Sequence, residues 1–200
     1  MKHLANVLTV VRVFLTAVLA VFLLGSFSVF SDETTRVFCA VVFLVASVTD
    51  FLDGAIARSS GTVSDFGKFL DPVADKILIL ATLICLSVSG LVAEELHVPL
   101  AATAVILLFR ELAVTSLRLL AASRSLVLAA RAAGKVKTFV QCVTVLWIFF
   151  EPVLLSAEAG HLVSYVLLGL CILCTVYSGL AFVPAWKRAM QSVSDKGEEK

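Results

Sequence analysis

Apolar residues in this chain come in long, nearly unbroken runs, roughly over 7–30, 37–57, 72–92, 98–122, 137–157 and 162–186. Each run is close to the ~20 residues a helix needs to cross a hydrocarbon layer, so the pattern predicts six transmembrane helices. The breaks between runs are short and alternate in character: Asp32, Glu33 and Arg36; then Arg58, Lys68 and Lys76; then Glu94, Glu95 and His97; then Arg124, Arg131, Lys135 and Lys137; then Glu151, Glu158 and His161. Lys187, Arg188, Lys196 and Lys200 follow the last run. Short cytoplasmic connections collect Lys and Arg, which puts both termini and the second and fourth connections on the cytoplasmic side of the inner membrane. An even number of spans requires the same arrangement. Residues 191–200 are polar and charged and read as a solvated tail.

Composition turns this pattern into an exclusion. Of 200 residues, 60% are hydrophobic and 16% charged, and the mean hydropathy is +1.03. Soluble domains average about 45–50% apolar and about 25% charged. The six spans use most of the length, so the expectation is one all-α integral membrane domain over 1–190, with no room for a sizeable soluble one. A net charge of +1 says little about partners, and no nucleic-acid partner is expected. The five cysteines, Cys39, Cys85, Cys142, Cys171 and Cys174, all fall inside apolar runs and read as small packing residues. Cys171 and Cys174 form a C-x-x-C, but no second pair or histidine accompanies them. The N-terminal run resembles a signal peptide in outline. It is long, Arg12 interrupts its start and no clear cleavage site follows, so a retained first span is expected.

Against this apolar background a few charges stand out. A carboxylate at membrane depth costs several kcal/mol unless paired, hydrated or bound to a cation. Asp50 and Asp53, three apart, share one helix face, and Asp71 and Asp75, four apart, share another. Pro72 is expected in the first turn of the third helix, where its missing N–H costs nothing. The short connection between the two helices makes them antiparallel neighbours, with all four aspartates near the cytoplasmic end. Four converging carboxylates repel one another unless a cation joins them. Oxygen donors without cysteine or histidine point to a hard ion, Mg²⁺ or Mn²⁺, with Ca²⁺ an alternative. Two ions about 4 Å apart would suit a phosphoryl displacement. Gly54, Ala57 and Gly67 are either helix-packing residues or room for a ligand, and Arg58 is placed to hold a phosphate oxygen.

The run Asp50-x-x-Asp53-Gly54-x-x-Ala57-Arg58, eight residues, then Gly67-x-x-x-Asp71-x-x-x-Asp75 resembles the signature of the CDP-alcohol phosphatidyltransferase family at every fixed position. That resemblance implies a six-helix membrane fold, usually dimeric. It also implies transfer of a substituted phosphate from a CDP-linked donor to an alcohol, with release of CMP. Carried over residue by residue, Asp50, Asp53 and Asp71 would ligate the metals, and Asp75 would act as general base and join them. Asp50, Asp53, Gly54, Ala57, Arg58 and Gly67 would line the CDP site.

The acceptor is argued from the rest of the chain. Arg110 lies midway along the fourth run, an expensive place for a cation. A pair with the neighbouring Glu111 is not expected, because adjacent helical residues do not face each other. Arg118, two turns on, is expected to point the same way, and Lys135 and Lys137 begin the fifth run from the same side. Fixed cations facing a metal site suggest an anionic acceptor. The segments Asn6-Val7-Leu8-Thr9-Val10-Val11-Arg12, Arg110-Glu111 with Ser116-Leu117-Arg118, and Gly134-Lys135-Val136-Lys137-Thr138 with Gln141 resemble the branch of the family whose acceptor is glycerol 3-phosphate. Ala5 stands where that branch often has proline, and Leu119 where an acidic residue is common. The implied substrates are CDP-diacylglycerol and glycerol 3-phosphate. Arg110, Arg118, Lys135 and Lys137 would hold the acceptor phosphate, with Asn6, Thr9 and Arg12 near the site.

Rival readings are the branches that make cardiolipin, phosphatidylserine or phosphatidylinositol phosphate, and, from another class, an ion or proton carrier using the aspartates as transport sites. Carriers commonly show inverted repeats and helices broken at the midplane; neither pattern is visible here. A purely structural scaffold leaves four buried carboxylates unexplained.

Overall fold

A computed structural model describes residues 2–25, 31–60, 65–123, 132–154, 157–181, 183 and 186, with side chains throughout except at 2–8, 50–60, 65–75, 132, 133, 135 and 157–159. Six α-helices account for almost all of it: α1 (Lys2–Leu24), α2 (Asp32–Ser60), α3 (Asp65–Leu86), α4 (Glu94–Ser123), α5 (Ala132–Leu154) and α6 (Ala157–Leu180). No strand occurs among the described residues. Each expected span overlaps one helix, but every helix starts about five residues earlier than its apolar run. Acidic first turns extend α2 (Asp32, Glu33) and α4 (Glu94, Glu95) outward, because carboxylates complement the positive N-terminal end of a helix. Ser31 caps α2: its Oγ accepts from the Thr34 N–H at 3.2 Å.

Among the described residues, three helices carry stretches long and apolar enough to cross a membrane: Glu94–Ala121, Val136–Leu154 and Gly160–Leu180. Thr9–Leu24 and Lys76–Leu86 are shorter apolar stretches. The outward faces match a bilayer. Val98, Phe109, Leu119, Phe139 and Leu173 are all well exposed, a surface that would aggregate in water. The protein is an all-helical membrane protein. Hydroxyls within the helices are satisfied locally, Thr16, Thr82, Thr103 and Thr144 each donating to the carbonyl four residues back at 2.7–2.8 Å. The cysteines are free, with Cys39, Cys85 and Cys171 buried.

The helices pack as a closed ring in the order α1, α2, α5, α6, α4, α3, with α3 also touching α2 and α5. Phe22 against Phe38 (ring centroids 4.6 Å apart) joins α1 to α2, and Phe43 against Phe149 (6.5 Å) joins α2 to α5. Pro99 lies inside α4. It has no N–H to offer the carbonyl of Glu95, and the Tyr165 hydroxyl of α6 donates to that carbonyl instead, at 3.2 Å.

A polar cluster closes the end of the bundle far from Asp50 and Asp75. Glu151, expected as a connection charge, is instead 3% exposed within α5. His161 Nδ1 lies 2.5 Å from its Oε1, Ser164 donates to its other oxygen, and Trp147 Nε1 donates to Ser164 at 3.0 Å. Gly160 is required beside it: a β-carbon there would lie 2.7 Å from Glu151 Cγ. At the same end Arg36 donates to the Leu91 carbonyl at 2.5 Å, and a cleft of about 320 Å³ opens between Arg36, Gly90, Glu151 and His161.

Candidate active site

The signature residues lie on two helices. Asp50, Asp53, Gly54, Ala57 and Arg58 fall in the C-terminal half of α2, and Gly67, Asp71 and Asp75 in the N-terminal half of α3. Counting outward from the connection at 61–64 sets Asp50 level with Asp75 and Asp53 level with Pro72, one residue from Asp71. Helix α3 begins at Asp65, so Pro72 stands well inside it rather than in its first turn. Residues 65–68, ahead of the expected run and including the connection charge Lys68, form its opening turn. The side chains of these eight residues, and of Asn6 and Lys135, lie outside the described residues. The donor chemistry still bears on a metal. Residues 50–75 contain aspartates but no cysteine and no histidine, which fits a hard divalent cation.

Helix α1 packs along both α2 and α3. Thr9 and Arg12 are buried on it, each about 1% exposed, in the half that runs beside the C-terminal half of α2. Burying an arginine this completely inside a bundle is costly, which marks the position as more than packing.

The described heart of the site is a knot of charge around Glu111 of α4. Lys137 of α5 donates to Glu111 Oε1, Arg110 Nη1 lies 2.9 Å from the same oxygen, and Lys76 Nζ of α3 lies 4.0 Å from Oε2. The Arg110–Glu111 pair corrects the expectation from helical spacing. Adjacent Cβ atoms do diverge, but a guanidinium on a long side chain reaches round to a carboxylate that is itself drawn inward by Lys137. Thr115, one turn beyond Glu111 on the same face, accepts from Lys76 Nζ at 2.6 Å. Gln141, one turn beyond Lys137, reaches Thr175 of α6 at 3.3 Å. A cavity of about 20 Å³ lies among Lys76, Glu111, Lys137, Thr138 and Gln141. Arg118 is exposed; eight residues turn it about 80° from Arg110 around the helix, so the two do not share a face.

Arg110 and Lys137 are thus brought together as expected. Lys76, Glu111 and Thr115 were not anticipated. Lys76 passed for an ordinary topology charge, and Glu111 could have been found from its own cost, a carboxylate one residue from a cation in mid-span.

Cations gathered on one carboxylate, on helices adjoining an aspartate-rich pair, are the groups that a membrane-embedded enzyme acting on phosphate groups would need. The comparison with known families narrows the class: the profile of CDP-alcohol phosphatidyltransferases matches residues 2–177, and this chain belongs to that family. It is similar to a protein of Mycobacterium tuberculosis (strain ATCC 25618 / H37Rv) named "Probable phosphatidylglycerophosphate synthase", 39% identical over 183 residues that cover 90% of this chain and 80% of that one. It is 35% identical over 190 residues to a Bacillus subtilis (strain 168) protein named "CDP-diacylglycerol--glycerol-3-phosphate 3-phosphatidyltransferase", covering 90% and 92% of the two chains. A Rickettsia felis protein of the same name is 31% identical over 193 residues, covering 94% and 97%.

Proposed function

We propose that this chain transfers the phosphatidyl group of CDP-diacylglycerol to glycerol 3-phosphate, giving phosphatidylglycerophosphate and CMP, the committed step of phosphatidylglycerol synthesis. The observation that carries the acceptor is the gathering of the buried Lys137 and the part-buried Arg110 on a single carboxylate, with Lys76 alongside, which suits an acceptor bearing its own phosphate. The relatives' names support the same substrates.

In this reading the glycerol hydroxyl attacks the phosphatidyl phosphorus in line. A new P–O bond forms, the bond to the bridging pyrophosphate oxygen breaks, and CMP departs with the electron pair. Asp75 takes the hydroxyl proton. Arg110, Lys135 and Lys137 grip the acceptor phosphate, with Arg118 at the rim. Gly54, Ala57, Arg58 and Gly67 line the cytidine nucleotide, and Asn6, Thr9 and Arg12 border it. Asp50, Asp53, Asp71 and Asp75 would hold divalent cations, Mg²⁺ or Mn²⁺. Bound there, such ions neutralise the pyrophosphate and the departing nucleotide. The site faces the cytoplasm, since Arg58, Lys68 and Lys76 lie along its end of α2 and α3, and the protein works as a multi-pass homodimer in the cytoplasmic membrane.

The test is CMP release by the purified protein with CDP-diacylglycerol and each of glycerol 3-phosphate, serine, inositol phosphate and phosphatidylglycerol. Release with glycerol 3-phosphate alone is expected. Release only with another acceptor overturns the acceptor, and no release with any alcohol overturns the reaction.

A further inference from the structure

We infer that Glu111 is a positioning residue that gathers Lys76, Arg110 and Lys137 into a ready-made receptor for a phosphate monoester, and so sets the charge class of the acceptor. The inference rests on the acceptor reading above and deepens it.

Three cations from α3, α4 and α5 meet in a part of the bundle where Lys137 and Glu111 side chains are only 9% and 11% exposed. Like charges brought close together near a protein surface repel one another, so without a central anion these side chains would swing apart toward water. Glu111 supplies that anion and touches all three. It is held on the same helix face as Thr115, which fixes Lys76 from a second direction. Arg110 and Lys137 on the one carboxylate already leave a formal excess of one positive charge among the described residues, with Lys76 alongside. A phosphate monoester carries about −1.5 to −2 at neutral pH and offsets it; a zwitterionic amino alcohol does not.

The knot is also tied to the chemistry. Lys76 follows Asp75 directly in α3, so the backbone segment that bears the proposed base also bears one of the cations that Glu111 holds. An acceptor phosphate bound at the knot has its distance to Asp75 set through α3. That fixes which end of a short phosphorylated alcohol lies beside the base, an orientation effect of the kind that governs bimolecular transfer.

The test is Glu111→Gln, which keeps size and removes charge, in purified enzyme assayed for CMP release. The KM for glycerol 3-phosphate is expected to rise at least tenfold, with the KM for CDP-diacylglycerol within twofold of wild type. Glu111→Asp, which keeps the charge on a shorter stem, is expected to fall between the two. An equal rise in both KM values, or a glycerol 3-phosphate KM within twofold of wild type, overturns the inference and leaves Glu111 as packing. Where Glu111→Gln does not fold, Glu111→Asp decides by the same split. If the wild-type protein releases no CMP with glycerol 3-phosphate, the acceptor reading itself has failed, and this inference with it.

Discussion

Gly160→Ala isolates the packing of the far-end cluster from catalysis. A β-carbon at Gly160 would stand 2.7 Å from Glu151 Cγ, 3.1 Å from Oε1 and 3.4 Å from Cδ. Glu151 has little freedom to yield: one oxygen is held by His161 and the other by Ser164, and Ser164 is fixed by Trp147. Overpacking of this kind costs about 1–3 kcal/mol, and loosening a hydrogen bond to a charged group adds about 1 kcal/mol more. The expected total is about 2–4 kcal/mol. At roughly 2–4 °C per kcal/mol for a chain of this length, the melting temperature falls by about 4–16 °C, read from Trp147 fluorescence in detergent with Trp186 replaced by Phe in every variant. Specific activity well below the melting point stays near wild type, because the cluster lies at the end of the bundle opposite Asp50 and Asp75. A double-mutant cycle sharpens the reasoning. Glu151→Ala removes the atoms the new methyl meets, so adding Gly160→Ala to it should cost little more. Additive losses, or a melting temperature unchanged in Gly160→Ala, would refute the steric account.

Other consequences are as direct. Tyr165→Phe removes the donor to the Glu95 carbonyl and should cost about 0.5–1.5 kcal/mol; in a Pro99→Ala background, where a backbone N–H can serve that carbonyl, the same change should cost nearly nothing, and an equal cost in both backgrounds refutes the pairing of Pro99 with Tyr165. Asp75→Asn should lower CMP release about 10²–10⁴-fold while CDP-diacylglycerol still binds, as read by protection from thermal unfolding; full activity would remove Asp75 from the role of base. Chelation with EDTA should abolish turnover and added Mg²⁺ or Mn²⁺ restore it, as four aspartates without soft donors require; turnover that persists in EDTA counts against a metal at Asp50, Asp53, Asp71 and Asp75.

Each of the six helices overlaps an apolar run, because a helix set among apolar surroundings needs no polar side and reads as one long hydrophobic stretch. Their starts were not. Asp32, Glu33, Glu94 and Glu95 look like connection when judged by polarity, yet they complete first turns where their charge favours the helix end. The aspartates announced themselves by cost and spacing. The pairing of Arg110 with Glu111 did not, since Cβ direction says where a side chain starts and not where five donors on a long stem finish. Tyr165 and Glu95 lie seventy residues apart, and only the packing of α6 on α4 brings them together. Glu151 was misread for a related reason: its partners His161 and Ser164 lie on the next helix, so its sequence neighbours could not show that it is paired.

The two buried glutamates show why charge count, more than burial, separates a binding site from a structural one. Glu151 meets one imidazole and one hydroxyl. Its two oxygens already have partners. The cluster serves as a clasp between α5 and α6. Glu111 holds both Arg110 and Lys137 on one oxygen, with Lys76 4.0 Å from the other, so among the described residues one carboxylate is shared by more than one cation. A bundle that tolerates such an excess at membrane depth sacrifices stability unless an anion arrives to share the cations. In the proposed reading, that imbalance is what the acceptor phosphate would meet. It also accounts for the placement of the knot on α3, α4 and α5 beside the aspartate-bearing half of α3, the end of the bundle where a soluble phosphate ester and a lipid-anchored nucleotide would have to meet.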